Sequence, residues 1–130
     1  MADLTVMGKL PYPPSINKYW ESTTVRQKST GKILKRVFRT PEVVKYVNDV
    51  FFLIAQQKIK ALTGSKLRLQ LLIYPPDKKR RDIDNVCKAI LDALQYAGVY
   101  DDDFKIWQLF VERREVRKFG EVEFTITEIE

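Results

Sequence analysis

The stretch 66–98 constrains the fold of this chain more than any other. Apolar and polar residues alternate over 66–74, which predicts a strand, and Pro75-Pro76 prevents that strand from continuing. A helix is predicted from Ile83 onward, because apolar residues recur at the spacing of one helical face, at Ile83, Val86, Cys87, Ile90, Leu94 and Ala97. Gly98 ends this helix. A buried strand is therefore followed within a few residues by an amphipathic helix. The apolar faces of both must pack into a common core.

Carboxylates stand at both ends of this helix. Asp82 and Asp84 lie at its start and Asp101-Asp102-Asp103 follow its end, while Lys88 lies one turn after Asp84. Two interpretations stay open. Asp82 can cap the helix beside a solvated Asp84–Lys88 pair, with the three later acids in an exposed turn. Alternatively, the acids hold a divalent cation such as Mg²⁺, which prefers carboxylate, water and phosphate oxygens.

The chemistry of such a site is restricted by composition. The chain has no His, so imidazole cannot act as a general base, and a water whose pKa is lowered by the cation is the simpler nucleophile. Lys88 could donate to the same phosphate oxygens. The lone Cys87 is interpreted as a core residue and cannot form an internal disulfide.

The charge distribution favours a polyanionic partner. The formal net charge is +6, and the cations gather in a segment between Ser22 and Thr40 without acids and in the run 78–81. Solvated loops are the alternative. The predicted DNA-binding residues are Arg26, Lys28, Lys32, Lys35, Arg36, Lys78, Lys79, Arg80 and Arg81. Nearby aromatic residues either stack on exposed bases or cover an edge of the core, namely Tyr12, Tyr19 and Trp20.

The remaining elements complete an α+β pattern. A strand is predicted over 3–10 and a hairpin of basic arms around Gly31. Thr40-Pro41-Glu42 starts a helix with a hydroxyl cap, and Thr63-Gly64-Ser65 ends it. A long strand over 105–117 places Trp107, Leu109 and Val111 on one face, and a turn at Phe119-Gly120 returns it as a last strand with Val122, Phe124 and Ile126.

We therefore predict a single domain over 1–130, with a mixed or antiparallel sheet and two main helices packed on it. Asp82 follows one strand and Asp103 precedes another, so both are expected at the same sheet edge, where they could share a metal. No apolar run approaches the roughly 18 residues that cross a membrane, and the N-terminus does not resemble a signal peptide. The expected location is the cytoplasm.

Several of these motifs resemble the signature of the RusA family of Holliday-junction resolvases. The matching residues are Arg81-Asp82-Ile83-Asp84-Asn85, Lys88, Asp92-Ala93-Leu94, Ala97-Gly98-Val99 and Asp102-Asp103. The segment Pro13-Pro14-Ser15-Ile16-Asn17-Lys18-Tyr19-Trp20 resembles the family's N-terminal region. The resemblance implies a homodimeric, Mg²⁺-dependent endonuclease of bacteria or phages. It places the catalytic acids and metal ligands on Asp82, Asp84 and Asp103 and the essential lysine on Lys88, with Asp102 as the alternative third ligand.

The predicted function is resolution of four-way DNA junctions in recombination and repair, by paired phosphodiester hydrolysis with Mg²⁺, for which Mn²⁺ can substitute. The alternative is a basic junction-binding module that has lost catalysis. A third interpretation is an interaction protein that uses the helix within 41–60, whose binding would be insensitive to salt.

Overall fold

A computed structural model describes residues 4–15 and 19–130, without the side chains of Val25 and Arg36. Ile16, Asn17 and Lys18 of the proline-rich motif lie outside the described residues. Within the described residues the strands are β1 (Thr5–Leu10), β2 (Trp20–Arg26), β3 (Ile33–Arg39), β4 (Leu67–Tyr74), β5 (Ile106–Arg113) and β6 (Glu121–Glu128). The α-helices are α1 (Pro41–Gln56) and α2 (Cys87–Tyr96), and short 3-10 turns span Ile83–Val86 and Asp103–Lys105.

Four strands form a mixed sheet in the order β1-β6-β4-β5. The last strand, β6, is antiparallel to both β1 and β4, whereas β5 runs parallel to β4. The strands β2 and β3 pair with each other as a separate antiparallel hairpin. The α+β class and the mixed sheet with two main helices are thus confirmed.

The core lies between one face of the sheet and the two helices. Alternate residues of β4 and β6 are buried, as predicted, at Leu67, Leu69, Leu71, Ile73, Val122, Phe124 and Ile126. They share one apolar cluster with the buried faces of α1 and α2. Period-2 alternation marks a strand that packs on one face only. The same pattern therefore identified both the strands and the covered side of the sheet.

The helix α1 begins where predicted but ends earlier. Thr40 precedes Pro41 at the start, although its side chain makes no capping hydrogen bond. The predicted end at 63–65 is wrong, because the last turn closes at Gln56 with Lys58 in the left-handed conformation (φ 56°). The Ile59 N–H donates to the Ile54 carbonyl at 3.1 Å, which completes a Schellman motif. A Lys at the position that usually carries Gly leaves no stop signal in the sequence.

The second helix follows the prediction more closely. The helical segment starts at Ile83, but its first turn is 3-10 and α2 begins at Cys87. Gly98 adopts φ 81° and ends it, with bonds from Gly98 N to Gln95 O and from Val99 N to Leu94 O. The predicted apolar face is wrong at Ile83, whose side chain is exposed, and Cys87 is half-buried.

The strand β5 departs most from the prediction. It ends at Arg113 rather than 117, and β6 lies beside β4 and β1 instead of returning against β5. Trp107 and Leu109 are exposed and do not form a buried face. The parallel pairing aligns the start of β5 with the start of β4, since Ile106 lies opposite Leu67 and Arg113 opposite Ile73. The expectation that Asp82 and Asp103 share one sheet edge is therefore wrong within a single chain.

Candidate nuclease site

A basic cleft of about 360 Å³ opens where β4 ends and the helical segment begins. Asp82 lines this cleft and is exposed, as is Asp84. The Asp82 side chain makes no capping hydrogen bond, and only its backbone carbonyl accepts from Asn85 N at 3.2 Å. The interpretation of Asp82 as a side-chain cap is therefore wrong. Cations dominate the polar lining, with Lys78, Lys79, Arg80, Arg81, Arg113 and Arg114.

The cleft wall is fixed by a chain of contacts through Arg81. Its guanidinium donates to Asp77 Oδ1 at 2.7 Å and lies 5.7 Å from the centre of the Tyr12 ring. The hydrogen bond from Arg81 lowers the pKa of Asp77 to about 2. Arg113 Nη2 donates to the Arg81 carbonyl at 2.6 Å, which joins the end of β5 to the segment that carries Asp82. Arg81 thus has a structural role as well as its charge.

Lys88 belongs to a cluster centred on Asp92, one turn further along α2. Lys88 Nζ lies 3.4 Å and Arg39 Nη2 3.8 Å from Asp92 Oδ2. Tyr19 donates its hydroxyl proton to the same oxygen. Burial first, and then the hydrogen bond to Asp92, raise the pKa of Tyr19 far above its usual range. Because Tyr19 is completely buried, it covers the core, and the alternative that it stacks on exposed bases is wrong. Its hydroxyl ties the hairpin to α2.

The three later acids differ in what their carboxylates contact. Asp101 pairs with Lys105 at 2.8 Å, a bond that lowers the pKa of Asp101. Asp102 accepts from Phe104 N at 2.9 Å and so caps the short turn. For Asp103 the structure shows a backbone bond, from its N–H to Gln95 Oε1 at 3.0 Å. Within the described residues the Asp103 carboxylate has no hydrogen bond or ion pair, and its side chain is exposed.

The predicted acids do not converge within one chain. Across 4–15 and 19–130, no three acidic or Cys side chains form a group that could hold a metal ion. Asp84 stands at the start of the helical segment, and Asp103 lies beside Gln95 near its end. These two points are about three helical turns apart, roughly 16 Å along the axis. The fold thus brings Asp82 and Asp84 to one end of α2 and Asp103 to the other.

The hairpin of β2 and β3 extends from this site as a basic arm. Arg26, Lys28, Lys32 and Lys35 are exposed on it. The cross-strand register places Lys35 opposite Thr24 and Arg39 opposite Trp20, so Lys35 and Arg39 point to the same face. Since Arg39 reaches Asp92 on α2, this face of the arm is continuous with Lys88. Trp20 and Tyr12 are partly exposed along the same region, whereas the side chain of Arg36 lies outside the described part.

Sequence reasoning missed the cations that close the far wall of the cleft. Arg113 and Arg114 lie within the predicted strand 105–117, and no sequence motif marks them as part of a site. Asp92 belongs to the family motif, but the sequence does not predict its contacts with Lys88, Arg39 and Tyr19. A single signal could have found Arg113, namely its position near the end of a strand that could pair in parallel with β4. Only the tertiary structure shows that this parallel pairing forms and brings Arg113 to the cleft.

The site combines exposed carboxylates with a cation-lined cleft, and a basic arm extends from the same α+β fold. This combination is typical of a protein that binds a phosphate polyanion. Within the described residues, neither helix is long and apolar enough to cross a bilayer. The family model for "Endodeoxyribonuclease RusA" matches residues 11–129. The chain therefore belongs to the RusA family of endodeoxyribonucleases, enzymes that hydrolyse phosphodiesters.

Individual relatives agree with this assignment. The chain is 36% identical over 121 residues to "Crossover junction endodeoxyribonuclease rusA" of Enterobacteria phage HK97, covering 93% of this chain and 92% of the relative. It is 31% identical over 120 residues to the RusA protein of Escherichia coli strain K12 and, likewise, to that of Enterobacteria phage 82, with 92% of each chain covered. The resemblance inferred from residues 80–103 is confirmed.

Proposed function

We propose that this protein is a magnesium-dependent homodimeric endonuclease that resolves four-way DNA junctions by paired phosphodiester hydrolysis. The observation that carries the proposal is the exposed Asp82 at the wall of a cation-lined cleft, in a chain of the RusA family. The relatives named above come from enterobacteria and their phages, so we place the activity in the bacterial cytoplasm. The family match over 11–129 supports one domain over 1–130.

Asp82 and Asp84 are the chain's own metal ligands in this proposal. Within the described residues neither carboxylate has an ion pair or a hydrogen bond, and both are exposed, which fits a hydrated Mg²⁺ held by one or two carboxylates. Mn²⁺ accepts the same oxygen ligands. When bound, the cation supplies Lewis-acid stabilisation of the charged phosphate and lowers the pKa of a water nearby. The lysines and arginines of the cleft hold the phosphate backbone against it.

We assign the third acid to Asp103 rather than Asp102. The Asp102 carboxylate already accepts from Phe104 N, and that of Asp101 pairs with Lys105. Asp103 is too far from Asp84 in the same chain, at the other end of α2. A second chain can supply it, so each site takes Asp82 and Asp84 from one protomer and Asp103 from the other. Two such sites related by a two-fold axis suit symmetrical nicking.

Lys88 is the proposed electrostatic catalyst. It lies one helical turn after Asp84 and one turn before Asp92, whose carboxylate it faces at 3.4 Å. A phosphate held at Asp84 would therefore lie within reach of the Lys88 ammonium, which donates to an oxygen as negative charge develops. Asp92, also bonded to Tyr19, keeps the lysine on this side of the helix.

DNA binding is assigned to two groups of cations. The side chains of Lys78, Lys79 and Arg80 are exposed at the cleft. On the arm, the exposed cations are Arg26, Lys28, Lys32 and Lys35, and Arg36 is assigned to the same group from the sequence. Both groups flank the acids, so a branched duplex could contact the arm and the cleft together. Each neutralised phosphate adds affinity that falls with salt.

The direct test is cleavage of a synthetic four-way junction with Mg²⁺. Paired nicks across the junction, abolished by a chelator and sparing linear duplex, are expected. Asp82→Asn should lose cleavage and retain or tighten junction binding, because a ligand and a charge that repels phosphate are both removed. A control is Asp49→Asn, an exposed acid on α1 paired with Lys45. Equal cutting of linear duplex would remove the resolvase assignment.

A mixing experiment tests the shared site. Asp82→Asn and Asp103→Asn homodimers should each be inactive. In a mixed dimer, one site combines the intact Asp82 of one chain with the intact Asp103 of the other, so nicking of one strand returns. If each chain held a complete site alone, mixing would restore nothing.

The alternative function is a junction-binding module without catalysis. It is favoured by one observation, that no three acids converge across 4–15 and 19–130. Such a protein would bind junctions with steep salt dependence but show no Mg²⁺-dependent cleavage for Asp82→Asn to remove.

A further inference from the structure

We propose that Phe119 stacks on an unpaired base of the branched DNA at the rim of the basic cleft. The inference rests on the proposed function, because it takes the ligand of the cleft to be branched DNA, and it adds a contact to a base. Phe119 stands in the turn between β5 and β6, and its side chain is 82% exposed. A base leaves the helical stack at least cost where pairing is already disturbed, as it is at a branch point. Its free face can then stack on an aromatic ring.

The backbone of Phe119 adopts a conformation that disfavours a large side chain. Its φ is 68°, in the left-handed region that glycine adopts without steric cost. The Arg117 carbonyl accepts from Gly120 N at 2.8 Å, so Phe119 is the third residue of a four-residue turn, where positive φ favours Gly or Asn. Phe119 lies outside the apolar core, so burial does not offset this strain. Strain of this kind is found chiefly at functional positions.

The turn that carries Phe119 is tied to the end of β4. Arg117 N donates to the carbonyl of Pro75, the residue directly after β4, at 3.0 Å. The Arg117 guanidinium stacks 3.4 Å from the centre of the buried Tyr74 ring and pairs with Glu123 at 3.1 Å. Both the backbone and the side chain of Arg117 thus hold the turn against the sheet. A ring on such a support loses little conformational freedom when it stacks.

The other side of the turn contacts the wall of the basic cleft. An added Cβ at Gly120 would lie 2.6 Å from Tyr12 Cβ, so the backbone of the turn packs directly against Tyr12, which lines this cleft. Arg114 and Val116, just before the turn, line the same cleft. Phe119 therefore extends into solvent from the rim of the proposed nuclease site, beside the DNA that the cleft would hold.

The charge next to the ring favours a nucleotide over an apolar protein partner. Lys118 Nζ lies 5.2 Å from the centre of the Phe119 ring, and the Lys118 side chain is exposed. Within the described residues Lys118 has no ion pair, so its charge is available to the phosphate of a base that lies on the ring. Proteins that bind unpaired nucleotides combine aromatic rings for the bases with cations for the backbone. An apolar partner would leave this ammonium without a counter-charge.

Phe119→Gly distinguishes base stacking from a structural role. Glycine fits the positive φ, so the melting temperature should not fall, while junction affinity should fall roughly 5- to 150-fold, the range for loss of one stacked base. Affinity for linear duplex, which offers no unpaired base, should not change, and Phe119→Trp should retain junction affinity. All affinities are measured with a chelator, so that no strand is cut. Phe52→Ala, at an α1 residue 70% exposed, is the control and should change neither affinity.

Three results of this experiment would overturn the proposal. They are an equal loss of affinity for junction and duplex, no loss for either, or a lower melting temperature together with lost affinity, which would assign the ring to the fold. A Phe119→Gly protein that no longer dimerises in analytical ultracentrifugation would assign the ring to a contact between chains and would also overturn it.

Photocross-linking tests the contact without measuring cleavage. 5-Iodouracil, which cross-links to aromatic rings stacked on it, is placed at one position at a time around the branch point. Mass spectrometry should then find the cross-link on Phe119 for at least one position, and its absence at every position would contradict the proposal. A protein that cross-links through Phe119 but never nicks junctions would overturn the proposed function and leave the stacking contact standing. Unchanged junction affinity in a Phe119→Gly protein that still nicks junctions would do the reverse.

Discussion

The Tyr19 hydroxyl donates to the carboxylate of Asp92, although 73 positions separate the two residues. Tyr19 stands beside the first residue of β2 and is completely buried, and Asp92 lies in the middle of α2. The same carboxylate faces Lys88 at 3.4 Å. A single hydrogen bond thus connects the basic arm to the lysine proposed for catalysis.

Removing this bond should weaken both the arm and the fold. Tyr19→Phe keeps the ring and removes a hydrogen bond to a charged group, which should lower the free energy of unfolding by about 2 kcal/mol. Hydrogen exchange in β2 and β3 should increase, because the Arg39–Asp92 ion pair is then left to tie the hairpin to α2. Chemical denaturation and hydrogen exchange measure these effects. Tyr96→Phe is the control, because Tyr96 is 60% exposed on α2, the helix that carries Asp92. It should change the free energy of unfolding by less than about 0.5 kcal/mol.

The proposed role of Lys88 can be tested against a lysine with the same i,i+4 partner spacing on α1. Lys88–Asp92 and Lys45–Asp49 are both i,i+4 pairs, although the side chain of Asp92 is 16% exposed and that of Asp49 is 43% exposed. Lys88→Gln should reduce the rate of junction cleavage by about 10²–10³-fold, as loss of an electrostatic donor does, with Mg²⁺ binding retained. Lys45→Gln should cleave at the original rate. Single-turnover rates on a saturated junction decide between them, and equal rates would exclude Lys88 from the chemistry.

The cations of the basic arm should contribute to the salt dependence of junction binding. If Lys32 contacts one phosphate, Lys32→Gln should reduce the slope of log affinity against log salt by about 0.9. Lys60→Gln, at an exposed residue between α1 and β4, should leave the slope unchanged. Fluorescence anisotropy with a labelled junction at several salt concentrations measures both. An unchanged slope for Lys32→Gln would remove that residue from the binding surface.

The pH dependence of the cleft wall follows from Asp77. Its pKa lies at about 2, below the ordinary 3.8, chiefly because Arg81 and the Lys79 N–H bond the ionised form. A lowered folded pKa stabilises the fold above the ordinary value, and this contribution is lost as the pH falls through about 2. Carbon-13 NMR should therefore show Asp77 ionised at pH 3. Arg81→Gln should raise the pKa of Asp77 toward 3.8, and Lys78→Gln should not move it.

Substitutions at two glycines distinguish the cost of backbone strain from the cost of a steric clash. Gly98 and Gly120 both have positive φ, 81° and 69°, so Ala at either should cost about 1–2 kcal/mol. An added Cβ at Gly98 meets nothing within 4 Å, whereas at Gly120 it would lie 2.6 Å from Tyr12 Cβ. Gly120→Ala should therefore lower the melting temperature more and displace Tyr12 from the Asp82 cleft. Equal decreases in melting temperature for the two variants would mean that the turn at Gly120 shifts to accommodate the added Cβ without cost.

Much of the local structure was predictable because it depends on neighbouring residues. Alternation identified β4 and β6, Pro41 started α1, and Gly98 ended α2. The early end of α1 was not predictable, since Lys58 takes the left-handed conformation without a glycine. The exposure of Ile83 also escaped the pattern, because the first turn of the helical segment is 3-10 and shifts the apolar face.

The sequence by itself determined which residues are proposed for the site, namely acids at fixed spacing, a lysine one turn away and the cations before them, because helical periodicity and charge are local properties. Only the tertiary structure decided how far apart those acids lie. The pairing of β5 with β4 is parallel and non-local, and no nearby residue encodes its direction. That direction carries Asp103 away from Asp82 within one chain, and it is the physical reason for assigning a complete site to two chains.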